Sequence, residues 1–301
     1  MRVDQRQKTA QAGTDYMTTF PNWLNVQRGV DFRGTDVFEP NRLFIRSLRD
    51  LATYVHFDQL YEAYLNACLI LLEMRVPFDP GNPYRDSRNQ DGFATFGGPH
   101  VLSLVTEVAT RALKAVWWQK WGVHRRLRPE AFGGRIHVHR NIDPGRYPMI
   151  NVEILNSSVV PIIEAQFGTT LLPQAFPEGS PTHPSYGAGH ATVAGACVTI
   201  LKAWFDESFV MTTAPVQSNA AGTALVPAPA AALTVGGELN KLAANVAIGR
   251  NAGGVHWLSD YTQSIRLGEQ IAISILLEQK LTYNEDHHLS LTTFDGKGLG
   301  I

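Results

Sequence analysis

The strongest constraint on the fold is a helical period in the apolar residues, which recurs along most of the 301-residue chain. Four long segments carry apolar side chains at three- and four-residue spacing, which is typical of helices with one buried face. These segments are residues 41–75, 100–121, 190–206 and 256–281. Shorter helices are predicted at 150–167, with a break near Pro161, and at 237–249. Because the alternating segment 134–141 is short and isolated, we predict an all-α fold, a bundle of six or more helices.

The domain boundaries follow from where the helical period is missing. We expect an N-terminal arm at 1–40, a helical-bundle domain at 41–285 and a C-terminal tail at 286–301. The arm and the tail are candidates for wrapping a partner subunit. Residues 211–236 are rich in Ala, Thr and Pro, which predicts a loop between two helices of one domain.

The overall composition is that of an ordinary globular protein. The chain is 44% hydrophobic and 18% charged, with a net charge of −1. This balance gives no global reason to expect a nucleic acid or an anionic membrane surface as a partner. The first residues lack the apolar segment of a secretory signal, and no apolar run approaches the roughly 18 residues of a membrane span. Cys68 and Cys197 lie in apolar segments, so buried thiols are expected, not a disulfide framework or a zinc site.

The first stretch that carries chemistry is KWGVHRRLRPEAFGG, at 120–134. It gathers basic residues, Lys120 and Arg128 among them, at the end of an apolar helix that Pro129 is expected to stop. A solvated basic helix end would suit the helix dipole equally well. Against that alternative, the cations lie close in the chain to three tryptophans, which suggests partial desolvation and the need for an anion. The tryptophans are Trp117, Trp118 and Trp121.

The second stretch is PTHPSYGAGHATVAGA, at 181–196, in which Gly189 and His190 precede a helix of small residues. Glycines let the backbone turn several N–H groups into one concavity, and a helix N-terminus adds positive potential. These features suit a tetrahedral oxyanion. A histidine at a helix start can also be a simple cap or a packed side chain.

The third stretch is GRNAGGVHWLSDYTQS, at 249–264, in which Arg250 and His256 flank another glycine bend. Taken alone, it could be a loop with a polar histidine. Helical hairpins would bring the three stretches together. Their three cations, two imidazoles and one backbone N–H could hold a phosphate-like trianion through charge-assisted hydrogen bonds worth roughly 1.5–3 kcal/mol each.

These residues resemble the superfamily of vanadium-dependent haloperoxidases and type-2 phosphatidic acid phosphatases. That superfamily has a Lys followed by Arg-Pro, a Ser-Gly-His, and an Arg followed six residues later by His. Here the blocks are Lys120 with Arg128-Pro129, Ala188-Gly189-His190, and Arg250 with His256. The wider context, from about 40 to 285, is most similar to the algal-type vanadium bromoperoxidases.

The resemblance implies vanadate as the cofactor and a role for each matching residue. His256 would bind vanadium axially, and His190 would be the acid–base residue beside the apical oxygen. The remaining vanadate oxygens would be bound by Lys120, Arg128, Arg250 and the Gly189 N–H. Trp117 and His183 fit halide-pocket positions, and His183 stands where bromoperoxidases carry His.

The activity so implied is oxidation of bromide or iodide by hydrogen peroxide to hypohalous acid, which halogenates small organic acceptors. A homodimer or higher homo-oligomer is expected. The best alternative enzyme is a phosphomonoesterase inhibited by vanadate, with His256 as nucleophile and His190 as the acid. A member that binds an oxyanion without turnover is a third alternative, because Ala188 replaces the family Ser and removes a hydroxyl worth on the order of 1 kcal/mol.

Two further hypotheses concern residues outside the three blocks. Asp58 lies in an otherwise apolar segment, which predicts either that it orients Arg128 or another cation or that it lies on a solvated helix face. For the loop at 88–100 there are two alternatives: it lines the approach to the site through Phe93 or Phe96, or it is a packed surface loop.

Overall fold

The computed structural model describes residues 4–229 and 232–301, and helices predominate in them. The helices are α1 (Phe20–Gln27), α2 (Leu48–Phe57), α3 (Glu62–Glu73), α4 (Gly98–Trp118), α5 (Pro129–Asn141), α6 (Val152–Leu155), α7 (Val159–Phe167), α8 (Gly189–Trp204), α9 (Val235–Ala252) and α10 (Leu258–Lys280). A π-helical turn, Gln119–His124, continues α4. Two antiparallel hairpins pair β1 (Val216–Ser218) with β2 (Leu225–Pro227) and β3 (Ser290–Thr292) with β4 (Gly298–Gly300). The all-α prediction is therefore confirmed.

Helix α8 lies at the centre of the bundle, and α4, α9 and α10 pack around it. Every residue from Ala191 to Trp204 is buried, so this helix has no solvent face. Its small side chains explain the arrangement, because a helix of Ala, Gly and Val can be approached closely from several directions. The functional consequence is that the N-terminus of α8 is fixed in position by the core.

The contact between α8 and α10 depends on two glycines. A side chain added at Gly195 would overlap the carbonyl oxygen of Ile265, and one added at Gly268 would overlap the carbonyl oxygen of Thr192. The two backbones therefore touch without side chains between them. Since both helices begin at the candidate site described below, this contact sets the distance between their N-termini.

The segment at 41–75 is two helices, so the prediction of one continuous helix was wrong. Helix α2 begins after Ser47, whose side chain accepts a hydrogen bond from Asp50 N, and it ends at Asp58. Asp58 has an extended backbone (ψ 153°). Its buried side chain faces the protein interior, where it contacts His190.

The segment at 134–141, which showed the alternating pattern, lies within helix α5. Pro129 does not stop the preceding helix but begins α5, at a position where its missing N–H is not needed. The preceding π-helical turn ends at Arg125, which has a left-handed backbone (φ 43°). The helix predicted at 150–167 is interrupted between Leu155 and Val159, so the break comes before Pro161, not at it.

The remaining segments connect or cover the bundle. The predicted loop at 211–236 contains the β1–β2 hairpin, and residues 230 and 231 lie outside the described residues. The C-terminal hairpin buries Leu291 and Ile301 against the core. Both cysteines are free and buried. Among the helices of the described residues, none combines the length and apolar character needed to cross a bilayer.

Candidate oxyanion site

The three stretches singled out in the sequence meet at one place in the fold. The first contributes the π-helical turn and the segment that leads into α5. The second contributes the N-terminus of α8, and the third contributes the last turn of α9 and the bend into α10. The structure brings together the cations Lys120, Arg128 and Arg250 with the imidazoles of His183, His190 and His256.

Lys120 is a buried cation, with a residue exposure of 1%. Its Nζ donates to the carbonyl oxygens of Pro184, at 2.7 Å, and Ser185, at 3.2 Å. Burial, and then the positive charge of Arg128, lowers the pKa of Lys120 to about 7. A protonated lysine at this position therefore gains from any anion that enters.

Arg128 is buried and connects two of the histidines. Its Nη1 lies 3.0 Å from His256 Nε2, and its Nη2 lies 2.9 Å from His183 Nδ1. Nε and Nη1 also donate to the carbonyl oxygens of His183 and Val255. Burial, and then the charge of Arg250, lowers the pKa of Arg128 to about 10, so it remains a cation at neutral pH.

Arg250, at the end of α9, is the third buried cation. Its Nη1 donates to the carbonyl oxygen of Val55 at 3.1 Å, while its buried Nε has no hydrogen-bond partner in the described structure. Burial lowers the pKa of Arg250 to about 10. An unpaired buried guanidinium N–H is costly, and an oxyanion would satisfy it.

His256 is held by Asp260, one turn further along the chain at the start of α10. His256 Nδ1 lies 3.0 Å from Asp260 Oδ2, an oxygen that also accepts from Trp257 N and from the Ser185 hydroxyl. Because a carboxylate can only accept, we assign the proton to Nδ1, which leaves the lone pair on Nε2. Burial lowers the pKa of His256, and despite its own burial the bond from His256 keeps the pKa of Asp260 low. Asp260 was not among the predicted site residues, although it lies four residues after His256 in the sequence.

His190, in the first turn of α8, is paired with Asp58. His190 Nε2 lies 2.9 Å from Asp58 Oδ1, and both side chains are largely buried. Burial lowers the pKa of His190, although the bond to Asp58 works in the opposite direction. Asp58 is therefore a partner of this histidine, not of Arg128, and it does not lie on a solvated helix face.

The N-terminus of α8 supplies backbone donors. Gly189 is the first residue of the helix, and the first N–H groups of a helix have no partner within it. Ala188 is the N-cap and provides no side-chain hydrogen bond, while its own N–H donates to the Ser264 hydroxyl at 2.8 Å. Because residue 188 is Ala, the hydroxyl that the family Ser carries at this N-cap is missing.

The candidate halide-pocket residues differ in position. His183 is an exposed residue, but its Nδ1 lies within hydrogen-bond distance of Arg128. Partial burial of the ring, and then the charge of Lys120, lowers the pKa of His183 to about 4. Trp117, Trp118 and Trp121 are between 49% and 68% exposed. The expected desolvation of Lys120 and Arg128 is found, since both are buried, while the three tryptophans keep about half or more of their surface exposed.

The loop at 88–100 does not place both of its phenylalanines on a surface. Phe93 is 73% exposed, whereas Phe96 is fully buried and stacks on Trp204 in the core. The suggestion that Phe96 lines an approach to the site was therefore wrong.

The donor set fits a tetrahedral oxyanion such as vanadate. Within the described chain, none of the three buried cations forms a salt bridge with a carboxylate. The Nε of Arg250 has no hydrogen-bond partner among the described residues, and the first N–H groups of α8 have none within the helix. The lone pair of His256 Nε2 faces the Nη1 of Arg128, which is itself a donor to an oxyanion. His256 would be the ligand to the central atom, and the cations would hold the oxygens.

Comparison with known proteins identifies the family of the chain. A family model described as the VCPO second helical-bundle domain matches residues 102–284. The chain is 51% identical to a vanadium-dependent bromoperoxidase of Corallina officinalis over 99% of its own length and 53% of the relative's. It is 38% identical to a vanadium-dependent bromoperoxidase of Ascophyllum nodosum, over 98% of this chain and 55% of that one.

A solved structure is also similar over nearly the whole chain. It is the homohexameric structure of the second vanadate-dependent bromoperoxidase of Ascophyllum nodosum, with a TM-score of 0.86 and 33% identity, covering 99% of this chain and 56% of that one. The chain thus spans about half the length of the curated relatives it matches. On this agreement of sequence, fold and family model, the chain belongs to the vanadium-dependent haloperoxidase family, in which these bromoperoxidases are its relatives.

Proposed function

We propose that this chain is a vanadate-dependent peroxidase that oxidises bromide or iodide with hydrogen peroxide to hypohalous acid, which then halogenates small organic acceptors. The observation that carries the proposal is the position of the His256 Nε2 lone pair. It lies beside buried Arg128, while Asp260 holds the opposite ring nitrogen in the protonated form.

His256 would hold the vanadium, and its own tautomer prepares it to do so. Asp260 accepts from Nδ1, which fixes the ring and raises the basicity of Nε2. The negative oxygens would be held by Lys120, Arg128, Arg250 and the N–H of Gly189. When bound, vanadate supplies the Lewis acidity that activates peroxide toward halide.

His190 would handle the proton of the incoming peroxide. Its Nε2 is engaged by Asp58, so Nδ1 is the nitrogen free to accept a proton and to return it later. The lowered pKa keeps the ring neutral at rest, which is the state that a proton acceptor needs. Asp58 would stabilise the ring once it is charged.

His183 and Trp117 would border the halide. His183 lies against Arg128, and its lowered pKa leaves it a neutral hydrogen-bonding group at neutral pH. Trp117 lies three residues before Lys120 in the chain and offers an exposed aromatic face.

The alternative reading, a vanadate-inhibited phosphomonoesterase, is not favoured, because the relatives described above are named bromoperoxidases. The hexameric state of the Ascophyllum protein supports a homo-oligomer for this chain too, a homodimer or a larger assembly. The division into an arm (1–40), a catalytic helical bundle (41–285) and a tail (286–301) stays part of the proposal.

The direct test measures bromination of phenol red by purified, vanadate-stripped protein with peroxide and bromide, before and after orthovanadate is added. Phosphate release from p-nitrophenyl phosphate is measured in parallel without vanadate. We expect bromination that depends on vanadate and no phosphate release. Phosphate release without any bromination would overturn the proposal.

Two variants connect the activity to the site. His256→Ala should abolish bromination after vanadate is added, and His288→Ala is the matched control because that histidine is exposed. Full activity of His256→Ala would contradict the assignment of the ligand.

A further inference from the structure

A cavity of about 540 Å³ lies between α5, α7 and the start of α10. Its volume falls within the range of about 300–1,000 Å³ that is typical of small-molecule sites. The walls are almost entirely apolar and include Phe132, Ile136 and Val160. None of the site residues described above lines this cavity.

Two residues of the cavity wall are chain neighbours of residues of the oxyanion site. Leu127 and Trp257 line the cavity, and they are the chain neighbours of Arg128 and His256. The indole Nε1 of Trp257 donates to the carbonyl oxygen of Leu127 at 2.9 Å, which ties the two segments together. A molecule bound here would therefore rest on the same backbone that carries an oxyanion ligand and a cation.

One charged side chain borders the otherwise apolar cavity. The Nη1 of Arg126 donates to Ser259 Oγ and Asp260 Oδ1, and its guanidinium carbon lies 5.3 Å from the centroid of the Trp257 ring. In the described part of the chain, all hydrogen bonds made by this guanidinium come from Nη1. Nε and Nη2 therefore remain available to an oxygen of a bound molecule.

The rim of the cavity is formed by exposed apolar side chains. Val159 is 50% exposed and Ile154 is 38% exposed, and both line the opening. Exposed apolar side chains around an apolar concavity gain free energy when an apolar molecule covers them. The combination of apolar walls, two aromatic rings and one cation selects an aromatic molecule with a single oxygen function.

We infer that this cavity binds the organic acceptor of the reaction, an aromatic molecule of one or two rings carrying a hydroxyl or carbonyl oxygen. The inference rests on the proposed peroxidase function, which supplies the hypobromous acid that reacts with the bound ring. In the halogenation, a ring carbon–bromine bond forms while the ring C–H bond and the O–Br bond break, and the proton and hydroxide leave as water.

Binding is tested with 2-naphthol on the vanadate-free protein by isothermal titration calorimetry. Val159→Asp places a carboxylate at the rim of the cavity and should raise the dissociation constant at least about tenfold. Ile162→Asp is the matched control, because Ile162 is also an exposed β-branched residue of α7, at 60%, and does not line the cavity. The control should bind 2-naphthol as the wild type does.

Steady-state kinetics then separate this inference from the proposed function. With vanadate, peroxide and bromide, Val159→Asp should raise KM for 2-naphthol and leave kcat unchanged. Triiodide formation from iodide needs no organic acceptor, so it should be equal in the wild type and in both variants.

The outcomes are distinguishable. Absence of triiodide formation in every protein would overturn the peroxidase function itself. Normal triiodide formation with equal 2-naphthol kinetics in all three proteins, or with a bromination rate independent of 2-naphthol concentration, would overturn the acceptor site. If 2-naphthol does not bind and Val159→Asp instead dissociates an oligomer in light scattering, the cavity is an interface and the inference is wrong.

Discussion

Replacing Lys120 by Met should remove a pH dependence of stability that the wild-type protein carries. Lys120 is buried at 1% exposure, and its pKa falls from 10.5 to about 7 on folding. Because the folded-state pKa is the lower of the two, the unfolded chain binds more protons between about pH 7 and 10.5. The free energy of unfolding of the oxyanion-free protein therefore rises with pH in that interval.

The size of the effect follows from the pKa values. At 1.36 kcal/mol per pH unit, the wild type should gain about 2 kcal/mol of unfolding free energy between pH 7 and 8.5. This window lies below the pKa of about 10 of Arg128 and Arg250, so both stay charged. In Lys120→Met the gain should be absent.

The assay is urea unfolding at pH 6, 7 and 8.5 in a buffer free of phosphate. Lys114→Met is the control, since Lys114 is an exposed residue of α4 close to Lys120 in the chain. Addition of phosphate should flatten the wild-type slope, because a bound oxyanion keeps Lys120 protonated. Equal pH dependence of the unfolding free energy in the wild type and Lys120→Met would refute the reasoning that burial lowers the pKa of Lys120.

Three further predictions concern the surroundings of the oxyanion. Ala188→Ser should restore a hydroxyl at the N-cap of α8 and lower the dissociation constant of vanadate about fivefold, measured by vanadium NMR; an unchanged constant would mean that the hydroxyl does not reach the anion. Asp260→Asn should weaken vanadate binding about 10- to 100-fold without unfolding the protein, which equilibrium dialysis and circular dichroism together would check. Gly268→Ala should lower the free energy of unfolding by about 1–3 kcal/mol, because the added methyl group would overlap the backbone of α8. Gly298→Ala is the control in urea unfolding and should leave this free energy nearly unchanged, since nothing lies within 4 Å of its added methyl group.

Much of the helical bundle could be predicted from the apolar period. The helices that carry the site, α8 and α10, begin within two residues of their predicted starts because each follows a bend with a strong helical pattern behind it. The break after α2 could not be predicted in this way. Apolar residues lie on both sides of Asp58, so the helical pattern continues across it. The break coincides with a tertiary contact between Asp58 and His190, which the local sequence does not contain.

The identities of the site residues could be predicted from the sequence, but their hydrogen-bond partners could not. The three cations and His190 and His256 were recognised from their blocks, whereas the pairing of Asp58 with His190 depends on two segments more than a hundred residues apart. Asp260 carried a local signal, a carboxylate one helical turn after a histidine, which the family blocks did not include. The backbone carbonyl oxygens that accept from Lys120 and Arg128 could not be predicted, because hydrogen bonds to the backbone leave no mark on composition.

The direct backbone contact between α8 and α10 limits which parts of the sequence can vary without moving the residues of the site. The N-termini of these two helices carry His190 and the bend with His256, and their separation is set in the core at Gly195 and Gly268. Loops at the surface can therefore lengthen, shorten or exchange sequence while the spacing of the two imidazoles stays the same. We expect sequence variation among relatives to accumulate in the loops around the entrance to the site. Substitutions in those loops could then alter which molecules reach the site while the spacing of His190 and His256 is kept.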